Sequence, residues 1–374
     1  VGDNQPRFDY GYEFLAGNTF KIAREASKGI LIEETRTNLF KQSIYESHFG
    51  RNQTSGTVND WGLLFTSGGS ASLTPGIDAP DGSNNAVRFT NNGTGFSILR
   101  LSIDTVTPNG SDTYALSFYV RAISGTGGMS CDLADGAPLG TWSADLITNE
   151  WVRVVKTGVP SNSGKTFIDI MSNADNNRVF DIWGVQLEKG KFATSFIPTY
   201  GQNATRGNES LLLDGEDFTD FFNTKESTVV SQITPLYSSL GNHSGTGGVV
   251  WSFDAGGGFA NGNYFSNANG GSAFAHNVVV SSSAQNTGGG SGIVTSFAPF
   301  KNASAFKEND FRMATNGTLA TADTSGTLPS VSKLVIGNNG WDVSSGLNGA
   351  NAHINRFSYY EKRIPDNQLV TLTS

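Results

Sequence analysis

Apolar and polar side chains alternate with a period of two along much of this chain, and clusters of Gly, Asn, Ser and Asp interrupt the alternation at short intervals. In "DTYALSFYVRAIS" the side chains of Tyr114, Leu116, Phe118 and Val120 fall on one face, with Ala115, Ser117, Tyr119 and Arg121 on the other, the pattern of a half-buried strand. "EWVRVVKTG" repeats it, with Val152 and Val154 opposite Arg153 and Val155. "TFIDIMSN" and "VFDIWGVQLEKG" follow after turns rich in Asn, Ser, Gly and Asp. Short antiparallel strands at this spacing predict an all-β protein built from β-sandwiches or jelly rolls.

The alternation stops at "IPTYGQNATRGNES", where Pro198, Gly201 and Gly207 break it and polar residues dominate. Beyond this seam a second set of strands is predicted in "ESTVVSQITP", "GGVVWSFDAG", "AFAHNVVVSS", "SGIVTSFAPF", "VSKLVIGN" and "AHINRFSYYEKR". "IPDNQLVTLT" closes the chain with Pro365 and Asp366 ahead of an apolar pair, which predicts a single helical turn. The expected organisation is a stretch over 1–40 with too little continuous apolar pattern for a core of its own, a sandwich or jelly roll over 41–200 and a second sandwich over 205–374.

Composition narrows the function classes. A chain of 374 residues fits two domains more comfortably than one, and 46 Gly and 25 Phe against 3 Met describe strands and turns in preference to long packed helices. The formal charge of -8, with no block of Lys or Arg, argues against nucleic acid as a partner. Cys131 is the single cysteine, so no disulfide closes within the chain. No run approaches the roughly 18 apolar residues of a membrane span, and no membrane insertion is expected.

Three stretches carry a resemblance. "RFDY" at 7–10, "GILIEETRTNLF" at 29–40 with Gln42 and Ser43 after it, and "WGVQLEKGKFATSFIPTYGQNATR" at 183–206 resemble paired signatures of bacteriophage tail and virion-surface proteins. The resemblance implies an extended lead running into a jelly roll similar to carbohydrate-binding modules, then a domain similar to concanavalin A and laminin G folds. It implies a non-enzymatic virion structural protein, in a tail fibre, spike or head appendage, exposed on the virion surface and assembled in the bacterial cytoplasm. Its implied partners are other virion proteins, itself as a homotrimer, and host surface polysaccharide. The competing readings are a capsid decoration protein without a receptor role and a secreted lectin-like module of a polysaccharide-degrading system.

Arg7, Phe8 and Tyr10 in the lead, with Glu33, Arg36 and Asn38 in the stretch after it, are the candidates for docking to a subunit or virion protein; Arg36 and Asn38 offer directional hydrogen bonds. The alternative is that this stretch is simply a first strand. A retaining glycosidase needs two carboxylates about 5 Å apart. Glu33 and Glu34 are adjacent and point to opposite faces if extended, and Asp214, Glu216, Asp217 and Asp220 fall in a segment read as turn and linker. His48, His243, His276 and His353 lack zinc spacing. Calcium is the one ion retained, because jelly rolls of the implied type hold it between strand ends; Asp78, Asp81 and Asp181 are its candidates, against the alternative that they close turns.

Glycan binding needs flat aromatic faces beside amides and carboxylates. Trp151, Trp183 and Trp251 are assigned to the core, and Trp61, Trp142 and Trp341 to positions that could be exposed. The expected contact lies on loops of the second domain, with Trp341 and Asp342 beside Asn338, and with Tyr264.

Overall fold

The computed structural model describes residues 12–14, 19–22, 29–45, 61–65, 69–93, 95, 97–103, 111–125, 129–133, 137–142, 149–160, 167–172, 178–236, 248–256, 260–267, 274–289, 298–338 and 349–374. The chain forms two compact units, the first holding residues 36–206 and the second holding 207–374 together with the stretch that ends at Thr35. Every strand pairing among the described residues is antiparallel.

In the first unit, a seven-stranded sheet runs in the order Tyr12–Phe14, Thr19–Ile22, Val152–Gly158, Tyr114–Ser124, Val179–Lys189, Ala86–Asn91, Ala71–Ile77. It faces a five-stranded sheet ordered Ala137–Trp142, Met129–Leu133, Phe167–Ser172, Ser97–Ser102, Trp61–Phe65. The period-two pattern fixes which side chains meet between them: Leu116, Phe118, Val120, Val152, Val154, Phe180 and Ile182 pack with Leu99, Leu101, Cys131, Leu133, Ile168 and Ile170. Burial pushes the Cys131 thiol up to about 12, which leaves it an inert apolar filler. Trp61 is also buried, against the expectation of exposure, because Phe40 and Tyr45 pack on it and its Nε1–H donates to Gln42 O at 2.7 Å.

The second unit pairs two six-stranded sheets. One is ordered Leu211–Asp214, Lys333–Ile336, Val249–Asp254, Gly262–Asn267, Phe274–Val280, Ser283–Gly289. The other is ordered Thr318–Leu319, Asp310–Thr315, Phe300–Lys307, Glu226–Pro235, Ala352–Tyr360, Ile30–Ile32. Phe253 sits at the centre of an aromatic cluster with Phe218, Phe222, Trp251, Phe306 and Tyr359, all within 6.2 Å between ring centroids. The closing helix, Asp366–Thr373, begins after Pro365 but runs eight residues where a single turn was expected, and it buries Leu369 against Val230, Ala303, Ala305 and Ala314.

Two expectations change. "LDGEDFTDFF" is a strand and a helical turn, not a linker: Leu211–Asp214 pairs with Lys333–Ile336, and Gly215–Thr219 buries Phe218 in the core. Nor do the described residues of 1–40 form a lead of their own. Ile30–Ile32 is an edge strand of the second unit, in register with Ala352–Ile354, whereas Arg36–Asn38 pairs with Ala204–Arg206 in the first. Tyr12–Phe14 and Thr19–Ile22 extend the first unit's larger sheet through Val152–Val154. The chain therefore enters the second sandwich, leaves it at Thr35 and returns at Gly207. Gly29 makes the entry feasible: its φ is +116°, and a Cβ there would overlap the Ile354 carbonyl.

His276 is fully buried between Trp251 and Phe306, and its Nε2–H donates to Asn263 Oδ1 at 2.6 Å. Burial lowers its pKa from 6.5 to about 3. Below pH 6.5 the unfolded chain binds a proton that the fold refuses, so stability is lost as pH falls. We expect the unfolding free energy from denaturant titrations to fall by about 1 kcal/mol per pH unit between pH 6.5 and about 5, and His276→Gln to remove that part of the slope. Equal slopes in the two proteins would show that the imidazole is not the group responsible.

Candidate functional site

Alternation that turns Leu116, Phe118 and Val120 inward turns Ser117, Tyr119 and Arg121 to the outer face of the seven-stranded sheet. Register then lines up neighbours on that face. Val152 opposes Val120, which sets Trp151 beside Arg121; Arg121 opposes Asp181, and Asp181 opposes Arg88. Trp151, Arg121, Asp181 and Arg88 thus form one row across four strands.

One part of this face is covered by the segment 190–200. Arg153 Nη2 donates to Ser117 Oγ at 2.9 Å and to Thr194 O at 2.5 Å. Glu188 accepts from Gln186 Nε2 at 2.7 Å, Thr194 N–H at 2.9 Å and Thr194 Oγ1–H at 2.6 Å, while Gln186 Oε1 accepts from Ile197 N–H at 2.6 Å. Phe196 stacks obliquely on Trp183 at 4.5 Å, and Trp183 Nε1–H donates to Asn85 Oδ1 at 2.7 Å. Trp183 is therefore buried, as expected, but on the outer face and under this strap.

In the row beside it the two arginines keep part of their surface in solvent. The Asp181 side chain is wholly buried, with Oδ1 accepting from Arg88 Nε at 2.7 Å and Oδ2 accepting from Arg88 Nη2 at 3.1 Å and Arg121 Nε at 2.9 Å. The Arg88 and Arg121 side chains keep 33% and 23% of their surface exposed. The hydrogen bond to Asp181 raises Arg88 above its ordinary pKa. Arg121 Cζ lies 4.8 Å from the centroid of the half-buried Trp151 ring, a cation–π contact, and Ile123 next along the same face is 42% exposed. Trp151 was assigned to the core; it shares parity with Arg153 and not with Val152, and that signal was present in "EWVRVVKTG".

The other expected residues lie elsewhere. Tyr264 is buried against Val249 and Val279, which pushes its phenol up to about 12, so its ring offers no face to a sugar. Asn338 is buried, its carbonyl accepting from Ser252 Oγ at 3.3 Å. Trp341 and Asp342 lie outside the described residues, as do Arg7, Phe8 and Tyr10.

Glu33, Arg36 and Asn38 are buried within their own units instead of presented for docking. Glu33 N–H donates to Glu209 Oε2 at 3.0 Å. Arg36 Nη1 donates to Lys189 O, with its guanidinium 4.4 Å over Phe192. Asn38 Nδ2 donates to Ile197 O at 2.9 Å, and its Oδ1 accepts from Leu187 N–H and Phe40 N–H at 3.1 Å each. For calcium, Asp181 is committed to two guanidinia. Asp81 closes a turn by accepting from Ser83 N–H at 3.0 Å and Ser83 Oγ–H at 2.6 Å, and Asp78 is exposed. No group of three or more His, Cys, Asp or Glu among the described residues is placed to hold a metal ion. No helix among them is long and apolar enough to cross a membrane.

No protein-family model and no curated protein matches the sequence. Among solved structures, the chain is similar to the native heptameric SAP-like pentraxin from Limulus polyphemus at 11% identity and a TM-score of 0.32, over 40% of this chain and 70% of that one. It is similar to Ruminococcus gnavus IT-sialidase CBM40 bound to alpha2,3 sialyllactose at 13% and 0.34, over 41% and 84%. It is also similar to mouse laminin alpha1 chain domains LG4-5 at 6% and 0.31, over 98% and 96%. Likenesses this distant carry no argument about function. The chain is an all-β protein of antiparallel sandwich units.

Proposed function

We propose that this chain is a non-catalytic carbohydrate-binding protein, and that the row Trp151–Arg121–Asp181–Arg88 is its contact face. The observation that carries this is an aromatic ring and two partly exposed guanidinia, pinned by a buried carboxylate, side by side on the outer face of the sheet. A sugar offers one apolar ring face and a rim of hydroxyls, and a half-buried indole beside fixed hydrogen-bond donors matches both. Non-catalysis is supported by the state of the buried acids. Asp169, Asp181, Glu188 and Asp254 each accept from a named arginine, threonine or backbone donor, which suits structural roles better than proton transfer.

Trp151→Ala should lower the melting temperature by only a few degrees, since the half-buried ring packs on the side cluster of Ala79, Ala86, Tyr119 and Trp183 and not in the central core, and weaken glycan binding about tenfold. A glycan-array and calorimetric comparison with wild type checks this; unchanged binding in the folded variant would remove the row from the site. Trp341→Ala, measured in parallel, tests the second-domain loop as a further contact.

The finer reading is a tail fibre, spike or head-appendage component on a bacteriophage virion surface, acting as a homotrimer. It rests on the signatures at 7–10, 29–40 and 183–206 alone. Mass spectrometry of purified virions tests it: absence of the polypeptide would leave the secreted lectin-like module as the standing alternative.

A further inference from the structure

We infer that the group recognised at the Trp151–Arg121–Asp181–Arg88 row is an anionic substituent on a sugar, so that the ligands are acidic saccharides and not neutral ones. The inference rests on the glycan-binding reading above and adds the chemical class of ligand.

It follows from counting donors and acceptors. A neutral saccharide hydroxyl both donates and accepts, and sites that bind it pair a donor with an acceptor. Here the one acceptor side chain of the row is spent. Both oxygens of Asp181 are held by guanidinium nitrogens, and the carboxylate has no exposed surface. What the row presents outward is donors only. Arg121 uses Nε on Asp181 and Arg88 uses Nε and Nη2, which leaves both terminal nitrogens of Arg121 and Nη1 of Arg88 without a hydrogen bond among the described residues.

Charge points the same way. Two guanidinia against one carboxylate leave the row net positive, on a chain whose formal charge is -8. Screening confines the influence of that distant negative charge to about 8 Å at physiological ionic strength, so the local surplus governs a ligand in contact. A group that only accepts, and carries negative charge, fits donors that are fixed in place, and guanidinium matches the planar oxygen pair of a carboxylate bidentately. The buried Asp181 holds both forks before a ligand arrives, which reduces the ordering cost of binding. The part of the Trp151 indole that Arg121 does not cover supplies the adjacent apolar surface for the sugar ring.

The test uses the full chain and matched pairs of oligosaccharides: uronate-bearing, nonulosonate-bearing and sulfated, each beside its methyl-esterified or desulfated neutral counterpart. The acidic member of at least one pair should bind tenfold or more tightly than its neutral counterpart and lose affinity as salt is raised. Which pair responds distinguishes a carboxylate from a sulfate as the source of the anion. Arg121→Gln should abolish the preference, and Arg121→Lys, which keeps the charge but not the fork, should retain part of it. Equal binding of acidic and neutral members would overturn this inference and leave glycan binding standing. No binding to any saccharide would overturn the proposed function as well. A folded Arg121→Gln variant that kept the full acidic preference would show that the anion is held elsewhere.

Discussion

Gly190→Ala should lower the stability of the first sandwich by about 3–5 kcal/mol, the largest effect expected from any single methyl group in that unit. Gly190 sits at φ +143°, outside the range that other residues adopt comfortably, and a Cβ built on it would overlap the Arg36 guanidinium. Arg36 cannot yield at little cost. It is 4% exposed, donates from Nη1 to Lys189 O and lies 4.4 Å over Phe192, so pushing it aside strands a charge inside the protein. Backbone strain of about 1–3 kcal/mol adds to that. A drop of roughly 10 °C in melting temperature is expected for a unit of this size. The double variant Gly190→Ala/Arg36→Ala should be worse than Arg36→Ala alone only by the backbone strain of about 1–3 kcal/mol, because the second change removes the atom that the first one strikes. A Gly190→Ala protein melting within about 2 °C of wild type would mean that the arginine has room to move.

A fragment covering residues 207–374 should be several kcal/mol less stable than the same sandwich in the whole chain, and a peptide spanning residues 29–38 should restore it in trans. The fragment lacks the edge strand Ile30–Ile32, whose Leu31 and Ile32 are 3% and 2% exposed. Burying each such side chain is worth about 1.5–3 kcal/mol, against about 1–2 kcal/mol of backbone entropy per ordered residue. Polar pairing adds to the loss. Glu34 N–H donates to Asn351 Oδ1 at 2.9 Å and Asn351 Nδ2 donates back to Glu34 Oε2 at 3.1 Å, so removing the strand leaves a buried amide without that partner. Denaturant titration of the fragment with and without peptide measures both effects. A fragment as stable as the sandwich in the whole chain, and indifferent to the peptide, would show that the strand decorates the edge without supporting the core.

How far the sequence could be read depended on whether a feature is local. Tyr114–Ser124 was legible because Leu116, Phe118 and Val120 alternate with Ser117, Tyr119 and Arg121 inside one strand, and burial follows parity. Pro365 announced the closing helix for the same reason. The turn residues between 198 and 210 marked the passage of the chain at Arg206/Gly207, but no such signal marked its passage at Thr35/Arg36. The strand Leu211–Asp214 was missed because its partner, Lys333–Ile336, is remote in sequence, and the acids around it resembled a solvated turn.

The candidate site shows the same limit. Arg88, Arg121, Trp151 and Asp181 each stood on the outward parity of a strand, yet nothing in one strand states which other strands lie beside it, or in what register. Asp181 read as a turn residue or calcium ligand until its neighbours were known. By itself, then, the sequence determined the all-β class, the faces of the strands, the turns and the absence of an internal disulfide, because these follow from side-chain period, backbone preference and residue count. Only the tertiary structure decided that Ile30–Ile32 completes one sandwich while Arg36–Asn38 completes the other, that Tyr264 is closed off, and that a tryptophan, two arginines and an aspartate meet in a row. Those facts rest on strand order and register, which are fixed by the summed burial and pairing of residues up to hundreds of positions apart.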